Sequence, residues 1–431
     1  MNYKQCSHPY TDPTHVFKQF PAQKSCAFLH SGIKQHYAGK YSVHAVFPKE
    51  TISGDTFTKL EPIFKERNTL TDYFSGGWIG YFSYDLKHDL ETLHKERKQH
   101  IQTDGLCFIR FGIYHFFNND TQTSHIAYET EDDLKKYLSS LNKTSSEDPS
   151  VPHIRNVHSN FTKESYLNAV EKVKDYIYEG DIFEANLTRK FFGEFQSPVN
   201  GKSLFLTLLK QSPSQYSAFI KIETLEIVSS SPERFIKIKN RRINSKPIKG
   251  TRPRGTTVEE DERIITELHS SEKDRAENLM IVDLVRNDIG KIAEVGSVHV
   301  PDLFKVETYQ TVHQLVSTIE GKIAETSTIL DAIKSCFPPG SMTGAPKIRA
   351  MEICTEIEDY TRGIYSGAIG YIGFDGYVDL SVVIRTLLIK NNQFEFQVGG
   401  AIVADSDAES EYQETLDKAK AICKVLNISV E

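Results

Sequence analysis

The chain has 431 residues, of which 39% are hydrophobic and 25% charged, a composition typical of a globular protein with one large domain or two smaller ones. Its formal net charge of −7 argues against a partner that is a nucleic acid or an anionic membrane, since both require a basic face. The six cysteines form no Cys-x-x-Cys pair, and neither a signal-like start nor an apolar run of membrane-spanning length is present. We therefore expect a cytoplasmic protein with reduced thiols.

The first third of the chain predicts a β-rich N-terminal domain over residues 1–145. Apolar and aromatic stretches typical of strands occur at 45–47, 76–85 and 107–114. Residues 142–160 are rich in Ser, Pro, Asn and charged side chains and predict a linker. Residues 161–431 are then expected to form a second domain.

The second domain is predicted to alternate helices and strands. Its first helix begins at the N-cap Thr162 and ends at Gly180. Further helices are predicted within 259–289, around 329–334 and at 409–426. The buried side of the first of these is expected to consist of Leu279, Val282, Leu284 and Val285. Strands are predicted at 183–192, 217–222, 226–230, 235–238, 315–319, 364–374, 380–389 and 394–403, the last two as a hairpin.

Residues 247–255 hold two prolines, two glycines and three cations, which predicts a shaped turn instead of a helix or a regular strand. Gly250 beside Lys249 would let a small molecule reach the lysine amine. In a largely dry pocket, burial would lower the pKa of that amine and make it a nucleophile or a base. A basic surface turn is the alternative, and the spacing of the residues does not decide between the two.

Two acidic pairs are each three residues apart on predicted helices: Asp274 with Glu277, and Glu411 with Glu414. This spacing places both members of a pair on one helix face. Two such faces brought together would repel unless a cation lay between them, and Mg²⁺ prefers oxygen ligands of this kind. The alternative is that both are ordinary solvated helix faces.

Three further features could take part in chemistry. Glu233 ends an apolar strand, where burial would raise the pKa of its carboxyl group and make it a general acid, unless it pairs with Arg234. Residues 340–347 lead into a helix starting near Pro346, whose N–H groups could bind a carboxylate. Arg385, on an apolar strand, would need an anionic partner, either a substrate carboxylate or a structural Asp or Glu.

Taken together and in this order, these stretches resemble the chorismate-utilising enzyme family from about Phe161 to Leu426. The likeness rests on residues 231–235, 247–251, 274–288, 340–347, 384–386 and 402–406, with a looser match at 76–85. It implies an α+β fold, a layered αββα sandwich of two antiparallel sheets, in which 161–431 is the chorismate-binding catalytic domain with the site between the sheets.

Within the family, Pro-Ile-Lys-Gly-Thr at 247–251 resembles the form that aminates chorismate at C4, because the members that make anthranilate usually carry Ala in place of the lysine. The resemblance implies that Lys249 adds to C2 of chorismate while Glu233 acts as general acid, and that ammonia then attacks C4. It also implies Mg²⁺ bound through Glu277 and Glu414, with Asp274 and Glu411 as outer or auxiliary ligands. Substrate contacts are implied for Gly250, Thr251, Thr343, Gly344, Tyr365, Arg385 and Ala401.

The implied activity is the formation of 4-amino-4-deoxychorismate, classed as a transaminase reaction, for 4-aminobenzoate and folate synthesis. No cysteine lies in a Gly-x-Cys-x-Gly elbow, so a separate glutamine amidotransferase subunit would supply the ammonia. Anthranilate formation and a non-catalytic chorismate-binding subunit remain the alternatives. The chain departs from the family pattern at Glu184, where aminating members usually carry Gln, at Pro339, which replaces a customary Gly, and at Ala401, which would narrow the ring pocket by a methyl group.

Overall fold

A computed structural model describes residues 3–21, 23–33, 40–65, 76–93, 98–141 and 152–431. The strands within these ranges are β1 (Lys4–His8), β2 (Ser25–His30), β3 (Tyr41–Gly54), β4 (Gly77–Phe82), β5 (Leu106–Asn118), β6 (Thr123–Tyr128), β7 (Ile154–Ser159), β8 (Glu184–Phe195), β9 (Tyr216–Ile222), β10 (Leu225–Ser231), β11 (Arg234–Lys239), β12 (Arg242–Lys246), β13 (Ile248–Pro253), β14 (His299–Thr308), β15 (Val312–Lys322), β16 (Gly344–Ala345), β17 (Ala368–Gly373), β18 (Val378–Val382), β19 (Thr386–Lys390) and β20 (Gln393–Ile402). The α-helices are α1 (Pro13–Gln19), α2 (Glu61–Lys65), α3 (Glu131–Leu141), α4 (Lys163–Tyr178), α5 (Gly201–Gln211), α6 (Val258–Ser270), α7 (Glu272–Gly290), α8 (Ile329–Cys336), α9 (Lys347–Ile357) and α10 (Ala408–Leu426). Short 3₁₀ helices lie at Phe57–Leu60, Tyr84–Asp89 and Gly340–Met342.

Antiparallel hydrogen bonding joins the described strands into one sheet with two wings that meet at β5. The first wing runs β5–β3–β2–β9–β10–β19–β20–β8–β7. The second wing runs β5–β4–β17–β18–β11–β12–β15–β14. At the edges of these wings, β13 pairs with β15, β16 pairs with β8, and β6 pairs with both β5 and β1.

The two wings share a core of apolar side chains. Ala27, Ile220 and Leu388 from the first wing lie in one buried cluster with Ile79 and Ile369 from the second. Helices cover the remaining faces: α7 and α8 contribute to a core with the second wing, and α1, α5 and α10 to a core with the first. The central strands therefore bury one face between the wings and the other under a helix, whereas β1, β7 and β14 keep exposed residues.

The predicted mixture of helices and antiparallel strands is confirmed, but the two predicted sheets are wings of a single hydrogen-bonded sheet. The reason lies in β5, which has 13 residues. It pairs with β3 along its length on one side, and with β4 at its start and β6 at its end on the other. A strand of this length twists enough to belong to both wings.

Strands of the two predicted domains pair directly with one another. β2 lies beside β9, and β4 lies beside β17, so residues before 145 and after 161 contribute to one sheet. The division into two domains remains a prediction. Of the predicted linker, residues 142–151 lie outside the described residues, and residues 154–159 form β7.

The predicted helices agree with the structure where the spacing of residues within one segment determines the helix. Thr162 caps α4, and Ser165 completes a capping box by bonding back to the N-cap backbone. The exception in α7 is Leu279, which is 43% exposed, while Val282 and Val285 are buried as predicted. None of the helices in the described part of the chain combines the length and the hydropathy needed to cross a membrane.

Candidate active site

The predicted turn at 247–255 is instead the bulged strand β13. Its register with β15 shifts between Ile248 and Thr251, which leaves Lys249 and Gly250 outside the ladder. Gly250 adopts φ +80°, and a Cβ placed there would lie 2.8 Å from Asp274 Oδ1. A residue without a side chain is therefore required beside Lys249, both for its backbone conformation and for the approach of α7.

The Lys249 amine is buried and meets a carboxylate. Its Nζ donates to Glu184 Oε1 at 2.8 Å, with the two side chains 10% and 1% exposed. Glu184 is the first residue of β8, and β16 pairs alongside it through Ala345. The second oxygen of Glu184, Oε2, is buried and has no hydrogen-bond partner among the described residues.

The predicted lowering of the Lys249 pKa is wrong for the protein without substrate. Burial would lower the pKa of the amine, but the carboxylates of Glu184, Glu277 and Glu233 outweigh burial, and the pKa lies above its ordinary value. The amine is therefore charged in the resting site. The sequence did not indicate this, because none of the three carboxylates is a sequence neighbour of Lys249.

Glu233 lies in the short connection between β10 and β11 and is 6% exposed. Burial raises the pKa of its carboxyl group to about 7, although hydrogen bonds from the Ser341 side chain and the Ile248 backbone act in the opposite direction. This agrees with the expected raised pKa. The alternative ion pair with Arg234 is not formed, because Arg234 contacts Asp379 at 3.5 Å.

The acidic pair on α7, Asp274 and Glu277, lies beside Lys249 and Glu184. Glu277 is largely buried, which raises the pKa of its carboxyl group, while Lys249 opposes the shift. Asp274 accepts a hydrogen bond from Arg252 at 2.7 Å. Asp274 is therefore already paired, whereas Glu277 faces the Lys249 amine and, at 4.0 Å, the amine of Lys273.

The acidic pair on α10 packs against β20. A Cβ placed on Gly400 would lie 3.0 Å from Glu411 Oε2 and 3.6 Å from Glu414 Oε1. Burial raises the pKa of Glu411, which accepts a hydrogen bond from Ser406 at 2.7 Å. Burial would also raise the pKa of Glu414, but Lys418, 2.6 Å away, outweighs it and the pKa lies below its ordinary value.

The charge of the Lys273 amine opposes the rise in pKa both at Glu277 on α7 and at Glu411 on α10. Within the described ranges, however, no three acidic or histidine side chains stand close enough to form a ready metal site. Three of the predicted ligands contact protein cations, Asp274 with Arg252, Glu277 with Lys273 and Glu414 with Lys418, and Glu411 accepts from Ser406.

Arg385 adopts φ +50°, and burial lowers the pKa of its guanidinium. Its backbone carbonyl accepts from the Ser230 N–H at 3.1 Å. In the described part of the chain it has no Asp or Glu partner, so the structural ion pair offered as an alternative is not found. Arg385 is half-buried, and a guanidinium without a counter-charge among the described residues is suited to bind an anion from outside the chain.

The other predicted substrate residues are distributed around β8. Gly344 has φ +138°, and a Cβ there would lie 2.2 Å from the Glu184 carbonyl oxygen, so glycine permits this approach. Thr343 is buried and accepts from the Asn186 N–H at 2.9 Å, and Ala401 pairs with Asn186 on the other side of β8.

Two other predicted substrate residues make no polar contact, among the described residues, with Lys249, Glu233 or Glu184. Tyr365 is buried, and burial raises the pKa of its hydroxyl. Thr251 is exposed on β13. Neither donates to, nor accepts from, Lys249, Glu233 or Glu184 among the described residues.

Sequence reasoning missed two members of the group. Ser341, which donates to Glu233, lies inside the segment 340–347, for which the sequence predicts a role of the backbone N–H groups alone. Glu184 was noted as a departure from the family pattern, but not as the partner of Lys249, which is 65 residues away. That contact joins β8 to β13, two strands that are not hydrogen-bonded neighbours among the described pairings, so spacing within either segment does not reveal it.

A separate cavity of about 410 Å³ lies between the wings and is lined by Tyr216, Arg234, Tyr371, Asp379 and other residues. None of Lys249, Glu233 or Glu277 lines it. The space beside Glu233 is much smaller, about 10 Å³, and includes Ser341 in its lining. Glu233 therefore borders the small space, and the larger cavity is lined by other residues.

Comparison with known proteins points to one family. The family described as "chorismate binding enzyme" matches residues 24–424. Aminodeoxychorismate synthase component 1 of Escherichia coli (strain K12) is 38% identical over 428 residues, covering 92% of each chain. Anthranilate synthase component 1 of Aquifex aeolicus is 36% identical over 402 residues, covering 88% of this chain and 80% of the relative. The crystal structure of anthranilate synthase component I from Streptococcus pneumoniae superposes with a TM-score of 0.79 at 30% identity, covering 90% of this chain and 93% of the other.

Proposed function

The chain belongs to the chorismate-binding enzyme family, and we propose that within it the protein is component I of an aminodeoxychorismate synthase. It would combine chorismate with ammonia to form 4-amino-4-deoxychorismate, the precursor of 4-aminobenzoate in folate synthesis. Relatives of both aminating types match to a similar extent, at 38% and 36% identity, so overall similarity does not choose between them. The observation that carries the choice is the buried Lys249 amine at a position where anthranilate-forming members usually have Ala.

In this mechanism Lys249 is a covalent nucleophile. Its Nζ forms a bond to C2 of chorismate, the two ring double bonds shift, and the bond from C4 to its hydroxyl oxygen breaks. Glu233 donates a proton to that oxygen, which leaves as water. Glu233 suits this role because burial raises its pKa to about 7, so a large fraction of it is protonated at neutral pH.

Ammonia then attacks C4, the double bonds shift back, and the bond between C2 and Nζ breaks to release Lys249. The proton lost by the new ammonium group returns to Glu233. Dividing one difficult displacement into two easier steps is the general advantage of covalent catalysis.

Binding of the substrate carboxylates would rest mainly on cations and backbone donors. Arg385 has an unpaired guanidinium in the described part of the chain and is proposed to bind the enolpyruvyl carboxylate, with Tyr365 and the Thr343–Gly344 backbone beside it. Gly250, Thr251 and Ala401 are proposed to line the ring.

Mg²⁺ is proposed to bind through Glu277 and Glu414, supported by Asp274 and Glu411. The donor set fits, since Mg²⁺ prefers carboxylate oxygens and burial has left Glu277 with a raised pKa, the sign of an under-compensated negative charge. When bound, Mg²⁺ would neutralise and hold the ring carboxylate of chorismate.

The ammonia would come from a glutamine amidotransferase subunit in the cytoplasm. In this proposal the amino group passes from glutamine through ammonia to chorismate, and only in that sense is the reaction a transamination.

The test is to incubate purified protein with chorismate, Mg²⁺ and an ammonium salt, and to identify the product by mass spectrometry and chromatography. We expect 4-amino-4-deoxychorismate. Anthranilate as the product would overturn the proposal. Lys249→Ala should abolish amination while chorismate still binds, whereas Lys239→Ala, at the exposed end of β11, should behave as wild type. Equal turnover in wild type and Lys249→Ala would remove the nucleophile role.

Anthranilate synthase component I is the second candidate, because relatives with that name match most of the chain. Inhibition of turnover by tryptophan would favour it, since the anthranilate branch is normally subject to feedback. A non-catalytic chorismate-binding subunit is disfavoured because binding alone needs neither a buried nucleophile nor an acid with a raised pKa.

A further inference from the structure

Strand β8 has an apolar face and a polar face near its start. Ala185 and Leu187 lie in an apolar cluster with side chains of α4 and α9. Because side chains alternate along a strand, Glu184 and Asn186 share the opposite face. Glu184 accepts a hydrogen bond from the Lys249 amine at 2.8 Å. Asn186 therefore lies on the face of β8 that carries the contact with the proposed nucleophile.

The backbone of Asn186 is held between two segments that are proposed to contact the substrate. Its N–H donates to the Thr343 carbonyl at 2.9 Å, and its carbonyl accepts from Arg362 Nη2 at 2.6 Å. At the other edge of β8, Asn186 pairs with Ala401 of β20. Thr343 is proposed to lie beside the enolpyruvyl carboxylate and Ala401 to line the ring. Asn186 thus lies between the residues proposed to contact these two parts of chorismate.

The side-chain amide of Asn186 has an unused donor. Only 5% of the residue is exposed, and Nδ2 is buried without a hydrogen-bond partner among the described residues. Buried amide groups nearly always have a partner, and an unpartnered one destabilises the folded chain. For packing alone, Leu would suit this position better, because it has a similar shape and no polar atom to leave unpaired. The amide is therefore better explained by a partner that binds from outside the chain.

We propose that Asn186 is a further substrate-binding residue, whose Nδ2 donates a hydrogen bond to the enolpyruvyl carboxylate of chorismate. The ring carboxylate is already proposed to meet Mg²⁺, which leaves the enolpyruvyl carboxylate as the anionic acceptor on the Thr343 side of β8. Hydrogen bonds to a charged acceptor are stronger than those between neutral groups. The amide also supplies a donor without adding a charge beside the ion pair of Lys249 and Glu184.

This inference rests on the proposed function in one respect, since it takes chorismate as the substrate. It does not depend on which carbon of the ring is aminated.

The experiment compares the binding of two ligands. Wild type, Asn186→Leu and Asn186→Ala are dialysed to equilibrium, in the presence of Mg²⁺, with chorismate or with the dihydroxycyclohexadiene carboxylate that remains when its enol ether is hydrolysed. The second ligand keeps the ring carboxylate and lacks the enolpyruvyl group. Thr188→Val is the matched control, because Thr188 is buried two residues farther along the same face of β8. Urea unfolding reports the stability of each protein.

We expect Asn186→Leu to bind chorismate roughly 10- to 100-fold more weakly than wild type, as for loss of a hydrogen bond to a charged group. Its affinity for the smaller ligand should stay within about threefold of wild type. The variant should also be at least as stable as wild type in urea, because an unpartnered polar group is removed. Asn186→Ala, which is too small to clash, should show the same difference between the ligands, and Thr188→Val should bind both ligands as wild type does.

An equal loss of affinity for both ligands would overturn the role of Asn186, because it would indicate damage to the site as a whole. Wild-type affinity for chorismate in both variants would overturn it as well, and so would the failure of both variants to fold. These outcomes leave the proposed function intact. Anthranilate as the product of wild-type protein would overturn the proposed function and leave the role of Asn186 standing, whereas failure of wild-type protein to bind chorismate would overturn both.

Discussion

Replacing Glu233 by Gln is expected to make the protein more stable at alkaline pH while removing most of its activity. Glu233 is 6% exposed, and burial raises the pKa of its carboxyl group from the ordinary 4.5 to about 7. Above pH 7 the folded protein must hold a charge in its interior that the unfolded chain holds in water. At about 1.4 kcal/mol per pKa unit, this displacement corresponds to about 3 kcal/mol.

The sign follows from the direction of the shift. Because the pKa is raised in the folded state, the penalty is absent below about pH 4.5, grows as the pH rises, and is complete above about pH 7. Gln is uncharged throughout and can still accept the hydrogen bonds from Ser341 and Ile248. We therefore expect the variant to match wild type in unfolding free energy near pH 4.5 and to exceed it by about 3 kcal/mol at pH 8.

The assay is urea unfolding of both proteins at pH 4.5 and pH 8, with turnover of chorismate measured in parallel. Glu194→Gln, whose side chain is 41% exposed, is the control and should show no such pH-dependent gain. Turnover of Glu233→Gln should fall by about 10²- to 10⁴-fold through loss of the general acid. A stability difference that is the same at both pH values, or wild-type turnover in the variant, would refute the reasoning.

Three more predictions concern neighbouring groups. In urea unfolding, Gly250→Ala should lower the free energy of unfolding by about 1 kcal/mol or more relative to the control variant Gly296→Ala. Both glycines have φ near +80°, but only at Gly250 does a carboxylate, that of Asp274, occupy the place of the added methyl group. Arg385→Met should raise the KM for chorismate roughly 10- to 100-fold in steady-state kinetics without loss of stability, because it removes a half-buried charge that has no acidic partner among the described residues. Ser341→Ala removes a hydrogen bond that lowers the pKa of Glu233, so the fall of kcat/KM with rising pH should move to higher pH in the pH–rate profile; an unchanged profile would contradict this.

Much of the local structure could be read from the sequence because it depends on spacing within one segment. The capping box at Thr162 and the strands around Ile220 and Val228 needed only their own neighbours in the chain. The same is true of Glu233, whose burial and raised pKa followed from its place at the end of an apolar strand.

The predictions that failed depended on which segments meet. The wings of the sheet are joined because β5 twists far enough to pair on both sides, and periodicity within a strand does not reveal that partner choice. The segment at 247–255 has the composition of a turn, yet β15 supplies hydrogen bonds that hold it as a bulged strand.

The sequence by itself determined which chemical groups are candidates for the site: an amine in a glycine-flanked segment, a carboxyl group at a strand end, and two acidic pairs at helical spacing. The tertiary structure alone decided how those groups interact. It placed Glu184 against Lys249 across 65 residues of chain, and by surrounding the amine with carboxylates it raised a pKa that burial would have lowered. The physical reason is that secondary structure follows from contacts a few residues apart, whereas a pKa depends on every charge nearby in space, wherever it lies in the chain.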